Sequence, residues 1–273
     1  IDYRVATERM LEVALGLQPK SEVHLGMEVT DFQRVGDQTH VTATRHTAAH
    51  HPVSSSAAPT DAATYTCTHL VVCGGLQADR LARKDGVALK EQVVGFRGDY
   101  YELTDQAKHK IRNLIYPVPN PDFPFLGVHF TRMTNGEIEC GPNAVFTFKR
   151  EGYGKTDFDL RDTLDALGYG GTWKLFFNNM SFGINEYRRA FSKRLFLKTL
   201  QRLVPSLTME DLKPGRSGVR ALLLSENGDT RDDFRIEYTD HSIHVLKAPS
   251  PAAPAAFAIG EHIADLAKER FAL

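Results

Sequence analysis

Apolar residues fall at two rhythms along this chain, and the changes of rhythm mark its elements. Val5, Met10, Val13, Ala14 and Leu17 recur at near-helical intervals, so the opening segment predicts an amphipathic helix after a short lead-in. SEVHLGMEVTDFQRV and QTHVTATR then read as two strands joined at a Gly36-Asp37 turn. HLVVC is apolar almost throughout, as suits a parallel strand buried on both faces, and CGGLQADRLARKDG carries it through a glycine turn into a helix with Asp79 near its start. From Val93 to Arg150 the chain is strand-rich: VVGFRGDYYEL, NLIYPVPN, FPFLGVHFTRM and GEIECGPNAVFTF, with NPDFP and TNGE as turns. A helical stretch from Asp159 to Leu207 follows, interrupted at Gly168–Gly171, and SGVRALLLSENGDTRDDFRIEY returns to strand and loop. The chain closes on HVLKAPSPAAPAAFAIGEHIADLA: a strand-like start, three prolines, then a helix whose Ile259, Ile263 and Leu266 recur at i, i+4 and i+7.

One segment obeys neither rhythm. TAAHHPVSSSAAPTDAAT has almost no large apolar residue, so residues 43–64 read as a low-complexity surface insertion. Its His46, His50 and His51 have no suitably placed carboxylate or thiol beside them, and no metal site is read there. Elsewhere composition is that of an ordinary globular protein, with 42% hydrophobic and 25% charged residues in 273, enough chain for one large domain or two. The formal charge of -1 supplies no global field to recruit nucleic acid. No apolar run approaches the roughly 20 residues of a membrane-spanning helix. Cys67, Cys73 and Cys140 lack metal or disulfide spacing, which points to a reducing compartment. Ile1 stands where a methionine is expected, so the polypeptide reads as N-terminally incomplete.

Chemistry concentrates at a few positions. Alternation in FPFLGVHFTRM puts Phe125, Gly127, His129 and Thr131 on one face, with Leu126, Val128 and Phe130 opposite in the core. A histidine and a threonine beside a glycine leave room for a small polar ligand, although a lone strand histidine is often structural. In FRGDYYEL, Arg97, Asp99 and Tyr101 share one face and Phe96, Tyr100 and Glu102 the other; Arg97 and Asp99 read equally well as a partnered pair. Asn143 offers an amide, and Arg220 in SGVRA a guanidinium suited to clamping a carboxylate. APSPAAPAA has no bulky side chain, so the N–H groups opening the last helix are accessible to a planar or anionic ligand, with a helix merely capped by Ser250 as the plainer reading.

Several of these segments carry a family likeness. VGFRGDYYEL through IYPVPNPDFPFLGVHFTRMTNGEIECGPNAVFTFKREGY, with SGVRA, HVLKAPSPAA, IDYR and CGGLQADRLA, resembles the L-2-hydroxyglutarate dehydrogenase/oxidase family of D-amino-acid-oxidase-like flavoenzymes. The resemblance implies an α/β (α+β) protein: a partial Rossmann-type FAD-binding domain interleaved with an antiparallel-sheet substrate domain. Residues 1–42 and 65–90 fall to the FAD domain, 91–207 to the substrate domain and 208–273 to a return to the first. The G-x-G-x-x-G loop that holds the FAD pyrophosphate in such proteins has no counterpart here. Carried over by motif, Val29 resembles the backbone contact to adenine, and Gly74, Gly75 and Leu76 a second FAD-facing loop. Arg220 with Pro249, Ser250, Pro251, Ala252 and Ala253 resembles the isoalloxazine edge. The chain departs from the family pattern at Gly74, Leu222 and Pro254, where alanine, glutamine and threonine are usual.

The activity implied is oxidation of L-2-hydroxyglutarate to 2-oxoglutarate by hydride transfer to FAD. His129, or a residue upstream of Ile1, serves as base; Arg220 holds one carboxylate and Arg97, Tyr100 or Asn143 the other. Other 2-hydroxy acids or amines as substrate, and a flavin-free interaction module, are the competing readings. The electron acceptor is left open among a quinone, oxygen and an electron-transfer protein such as another flavoprotein. The resemblance further implies peripheral membrane association and a mitochondrial location in a eukaryote, otherwise a cytoplasmic or inner-membrane-associated one, and the charge implies no nucleic-acid partner.

Overall fold

In the computed structural model, which describes residues 1–45, 62–118, 127–231 and 233–273, the chain divides into two units. Residues 90–231, grouped with Ile1, make one; residues 2–89 with 232–273 make the other. The discontinuous unit starts with α1 (Tyr3–Leu17), closed by the Asp2 carboxylate, which accepts from the amides of Arg4 at 3.0 Å and Val5 at 3.3 Å. β1 (Met27–Val35) and β2 (Gln38–Arg45) form an antiparallel hairpin turning at Gly36, and β3 (Ala62–Cys67) pairs antiparallel with β2. Residues 46–61 between these strands, and with them His46, His50 and His51, lie outside the described residues. β4 (Leu70–Val72) leads through a single 3-10 turn, Gly75–Gln77, into α2 (Ala78–Lys84), whose buried Asp79 pairs with Arg83 at 2.9 Å.

The contiguous unit is organised by β5 (Gln92–Leu103). One edge of it pairs with β8 (Val145–Phe146) near Phe96 and with β7 (Ile138–Gly141) near Tyr101; β6 (His129–Arg132) continues from β7, all antiparallel. The described part of NLIYPVPN, residues 113–118, forms no strand: Ile115 makes an isolated bridge to Phe130, and Pro117 has no N–H with which to continue a ladder. The helical stretch breaks three times, giving α3 (Leu160–Gly168), α4 (Gly170–Asn178), α5 (Met180–Phe191) and α6 (Lys193–Leu200). Tyr169 and Ser192 adopt extended conformations at two of the breaks, and the Ser192 hydroxyl caps α6 by accepting from the Leu195 amide at 3.3 Å. β9 (Leu212–Leu224) pairs along the other edge of β5 from Leu103↔Leu212 to Gln92↔Leu224. The return to the first unit therefore falls at 232 rather than at the expected 208, because this long ladder ties residues 212–224 to the contiguous unit.

Two apolar clusters stabilise that sheet. Leu103, Ile111, Phe130, Ile138, Phe196 and Leu200 form one; Val94, Phe96, Phe146, Leu175 and Leu224 form the other. Burying a side chain of this size is worth roughly 1.5–3 kcal/mol. Leu222 packs against the second cluster, which accounts for an apolar residue two positions after Arg220.

Residues 233–273 complete the discontinuous unit. β10 (Arg235–Tyr238) pairs antiparallel with β11 (Ser242–Lys247), which in turn runs parallel to β4. β4 is thus parallel as its composition suggests, but it lies at the edge of this sheet with Val71 43% exposed, not buried on both faces. α7 (Ala256–Phe271) follows a 3-10 turn, Ala253–Ala255, and has no side-chain cap. Ser250 is therefore not its cap; the 3-10 turn admits Pro254 because first-turn N–H groups are unpaired in any case. Ile259, Ile263 and Leu266 are half-buried along one stripe, and the Phe271 ring stacks on His69 at 4.3 Å.

Candidate active site and ligand-facing segments

Within the contiguous unit, β5, β6, β9 and the Ile115 bridge bring four polar side chains together: Tyr100, Tyr116, His129 and Arg220. Val128 and Phe130 are 7% and 0% exposed in the core, which turns His129 and Thr131 to the other face, as alternation requires. The His129 ring stacks on Tyr116 with centroids 4.2 Å apart, and the Tyr116 hydroxyl lies 3.3 Å from the Thr131 hydroxyl. Nδ1 of His129 is 2.9 Å from the Gly127 carbonyl oxygen. Since a carbonyl only accepts, Nδ1 carries the proton, and Nε2 of the neutral ring keeps its lone pair. Burial pushes the His129 pKa below its ordinary value; the Gly127 hydrogen bond opposes this, and the charge of Arg220 adds to it. The ring is thereby held neutral near pH 7, with an uncommitted base at Nε2 among the described residues.

Arg220 sits on the exposed side of β9, opposite Phe96 across the ladder, and hydrogen-bonds the Tyr100 hydroxyl. Burial raises the Tyr100 pKa, only partly offset by Arg220, so the phenol keeps its proton and can donate it in a hydrogen bond. Guanidinium, phenol and basic imidazole in one cluster suit a hydroxyl flanked by a carboxylate. Tyr116 was not singled out in the sequence. Its signal is tertiary: the Ile115↔Phe130 bridge sets the next residue beside His129.

Arg97 and Asn143 are placed differently from expectation. Arg97, 5% exposed, donates Nε to Asp99 Oδ1 at 2.7 Å, Nη2 to Asp99 Oδ2 at 3.4 Å and Nη1 to the Gly154 carbonyl at 2.6 Å. Asn143 accepts the Asp99 amide at Oδ1 at 2.6 Å and donates Nδ2 to Asp99 Oδ2 at 3.1 Å. Both side chains are committed to one buried carboxylate, and they fix the loop before β8 to β5 instead of offering themselves to a ligand. Gly98 permits that approach: a Cβ there would lie 2.6 Å from Pro142 Cβ.

The remaining candidates lie in the discontinuous unit. Val29 is half-buried in β1, at a register shift between Val29 and Asp31 that bends the strand. Gly74 and Gly75 follow β4; Gly75 has φ 53°, with no atom within 4 Å of where a Cβ would stand. Residues 249–253 precede the 3-10 turn and α7, and all of Pro251, Ala252 and Ala253 are exposed.

Comparison with known proteins sets this geometry in context. The model of the family "DAO: FAD dependent oxidoreductase" matches residues 2–266. The chain is 42% identical over 257 residues to the mitochondrial L-2-hydroxyglutarate dehydrogenase of Nematostella vectensis, covering 92% of this chain and 56% of that protein. It is 43% identical over 199 residues to L-2-hydroxyglutarate dehydrogenase of Escherichia coli K12, covering 73% of this chain and 47% of that protein. The chain thus spans about half the length of these relatives. Among solved structures, L-alpha-glycerophosphate oxidase of Mycoplasma pneumoniae with FAD bound superposes with a TM-score of 0.56 at 19% identity, over 90% of this chain and 51% of that one. That last likeness is one of fold.

Proposed function

Because this chain belongs to the family of FAD dependent oxidoreductases, we propose that it carries the substrate-handling part of an enzyme that oxidises L-2-hydroxyglutarate to 2-oxoglutarate. The observation that supports this most is the neutral His129 ring, its Nε2 lone pair uncommitted, in the same cluster as Arg220 and Tyr100. Nε2 takes the C2 hydroxyl proton while the C2 hydride leaves, so the carbinol loses two electrons and two hydrogens and becomes a ketone. Arg220 pairs with the carboxylate next to the reacting carbon and Tyr100 donates to it. Arg97 and Asn143, tied to Asp99, hold β5 and the loop before β8 together.

The fit of the cofactor is partial and specific. Exposed small residues at 250–253, an uncapped α7 and the open turn at Gly75 leave room for a planar ring and a backbone to approach it. Val29, Gly74, Gly75, Leu76 and the Pro249–Ala253 segment are the residues that would hold FAD. When bound, FAD supplies the acceptor for the hydride. Electrons then pass to a quinone or an electron-transfer protein, and in a eukaryotic source the enzyme is mitochondrial, as the names of the relatives from Nematostella vectensis and Mus musculus state for those proteins. No helix among the described residues is long and apolar enough to cross a membrane.

The test is anaerobic mixing of the purified protein with candidate substrates while its flavin absorbance is followed. L-2-hydroxyglutarate bleaches the flavin bands; its D-enantiomer and L-lactate do so at least a hundredfold more slowly. A protein without flavin bands, or one bleached equally fast by lactate, overturns the reading.

A further inference from the structure

The contiguous unit contains a cavity of about 580 Å³ that the cluster around His129 does not use. It lies between α4, α5 and the sheet, and Phe146, Trp173, Phe176, Met180 and Ile184 are among its lining residues. Small-molecule pockets occupy roughly 300–1,000 Å³, so the space suits a ligand of moderate size. Trp173, Met180 and Ile184 are 45%, 58% and 55% exposed, leaving apolar surface in water that a hydrocarbon body would cover.

Most polar groups of the lining side chains are turned to the protein, and the charged one is not. Trp173 Nε1 donates to the Leu167 carbonyl at 2.7 Å, and Asn179 Nδ2 to that of Leu175 at 3.0 Å. The Tyr187 hydroxyl donates to the Phe146 carbonyl at 2.8 Å, and burial pushes its pKa up to about 12, so it carries no charge at neutral pH. Arg188 is the exception: it alone among the described lining residues is charged, it is exposed, and its guanidinium has no hydrogen bond or ion pair among the described residues. An apolar chamber with a single unpaired cation repels cationic amphiphiles and favours anionic ones.

We propose that this cavity binds a fatty acid, its hydrocarbon against the aromatic walls and its carboxylate on Arg188. A dicarboxylate such as L-2-hydroxyglutarate is the wrong ligand for such walls, which sets this site apart from the cluster around His129.

Trp173 is the only tryptophan of the chain, so its fluorescence reports occupancy. The experiment titrates the purified protein with monomeric laurate, dodecanol and dodecyltrimethylammonium. Laurate gives a saturable change and binds roughly two- to fivefold more tightly than dodecanol, the size expected of one exposed ion pair, and the cation binds more weakly than either. Arg188→Gln removes the advantage of laurate over dodecanol. Gly183→Leu fills the cavity from α5, where an added Cβ meets nothing within 4 Å, and abolishes both titrations with the circular dichroism spectrum unchanged. The proposal is overturned by equal affinity for the three amphiphiles, by laurate binding that survives Gly183→Leu, or by uptake of a neutral quinone analogue in place of laurate. Binding to phosphatidylglycerol vesicles with no saturable response to monomeric laurate overturns it too, and assigns the surface to a membrane.

Discussion

His129 shows how a single side chain acquires its role from its neighbours. An imidazole in water titrates near pH 6.5, so roughly a quarter of it is still protonated at pH 7, where an oxidation of a hydroxy acid needs a base. Here burial, reinforced by the charge of Arg220, lowers that pKa, and the Gly127 carbonyl decides which nitrogen keeps the proton. The acid limb of kcat/KM is therefore expected to have its midpoint below 6.5, with activity present above it. His129→Gln should lower kcat by about 10²–10⁴-fold, the usual contribution of a positioned base, and should erase that limb. An unchanged acid limb in the variant assigns the proton to another group. The same shift bears on folding: the unfolded chain binds the proton more readily, so the contribution of His129 to stability is full above about pH 6.5 and is lost as pH falls through that value towards the folded pKa. Comparing denaturation midpoints of parent and variant at pH 7.5 and 5.5 checks it, since the variant should lose less on acidification.

At the scale of elements, β5 was the most legible and its surroundings the least. Alternation in GVHFTR assigns faces correctly because strand side chains alternate whatever the strand pairs with, and Val128 and Phe130 are buried as that rule requires. The pairing itself was hidden: β9 begins more than a hundred residues after β5, and nothing local in SGVRALLL names Gln92–Leu103 as its partner. The interruption expected at Gly168–Gly171 is the break between α3 and α4, whereas the breaks at Asn179 and Ser192 left no trace in the apolar rhythm of 159–207, the second depending on the extended backbone and capping hydroxyl of Ser192. Arg97 and Asn143 looked like ligand-holding groups because residue type reports what a side chain can bind, not what already occupies it. Asp99 occupies both, and Gly98 lets the loop with Asn143 close on β5. Gly98→Ala should therefore push Pro142 and the Asn143 carbonyl outward, at a cost of about 1–3 kcal/mol for an overpacked site. Urea unfolding would register this as a lower midpoint at unchanged slope. A midpoint within error of the parent would mean that the loop yields freely and that the Asp99 network does not depend on this contact.

On the scale of the whole molecule, the chain leaves one unit at residue 89 and re-enters it at 232, so that unit must be closed by contacts between distant stretches of sequence. Asp85, just after α2, makes one such closure with β11: its carboxylate accepts from the Ser242 hydroxyl and from His244 Nε2 at 2.8 Å, with His241 Nε2 at 3.3 Å. His244 is 1% exposed, and its Nδ1 has no partner among the described residues, so Asp85 is what anchors the ring. Burial alone would raise the Asp85 pKa, but the hydrogen bonds from Ser242, His244 and His241 outweigh it and hold the carboxyl below its ordinary value of 3.8. Its contribution to stability is accordingly present above about pH 3.8 and is lost as pH falls through the lower folded value. Asp85→Asn keeps the shape but weakens the acceptor for three donors, for a loss of about 1–3 kcal/mol. If the two units open separately, hydrogen exchange in the variant should speed up roughly 10- to 100-fold in β4, β10 and β11, while amides in β5 and β9 keep their protection. Equal acceleration in both sets of strands would show that residues 90–231 unfold together with the discontinuous unit, and that the interruption of that unit in sequence does not divide the molecule energetically.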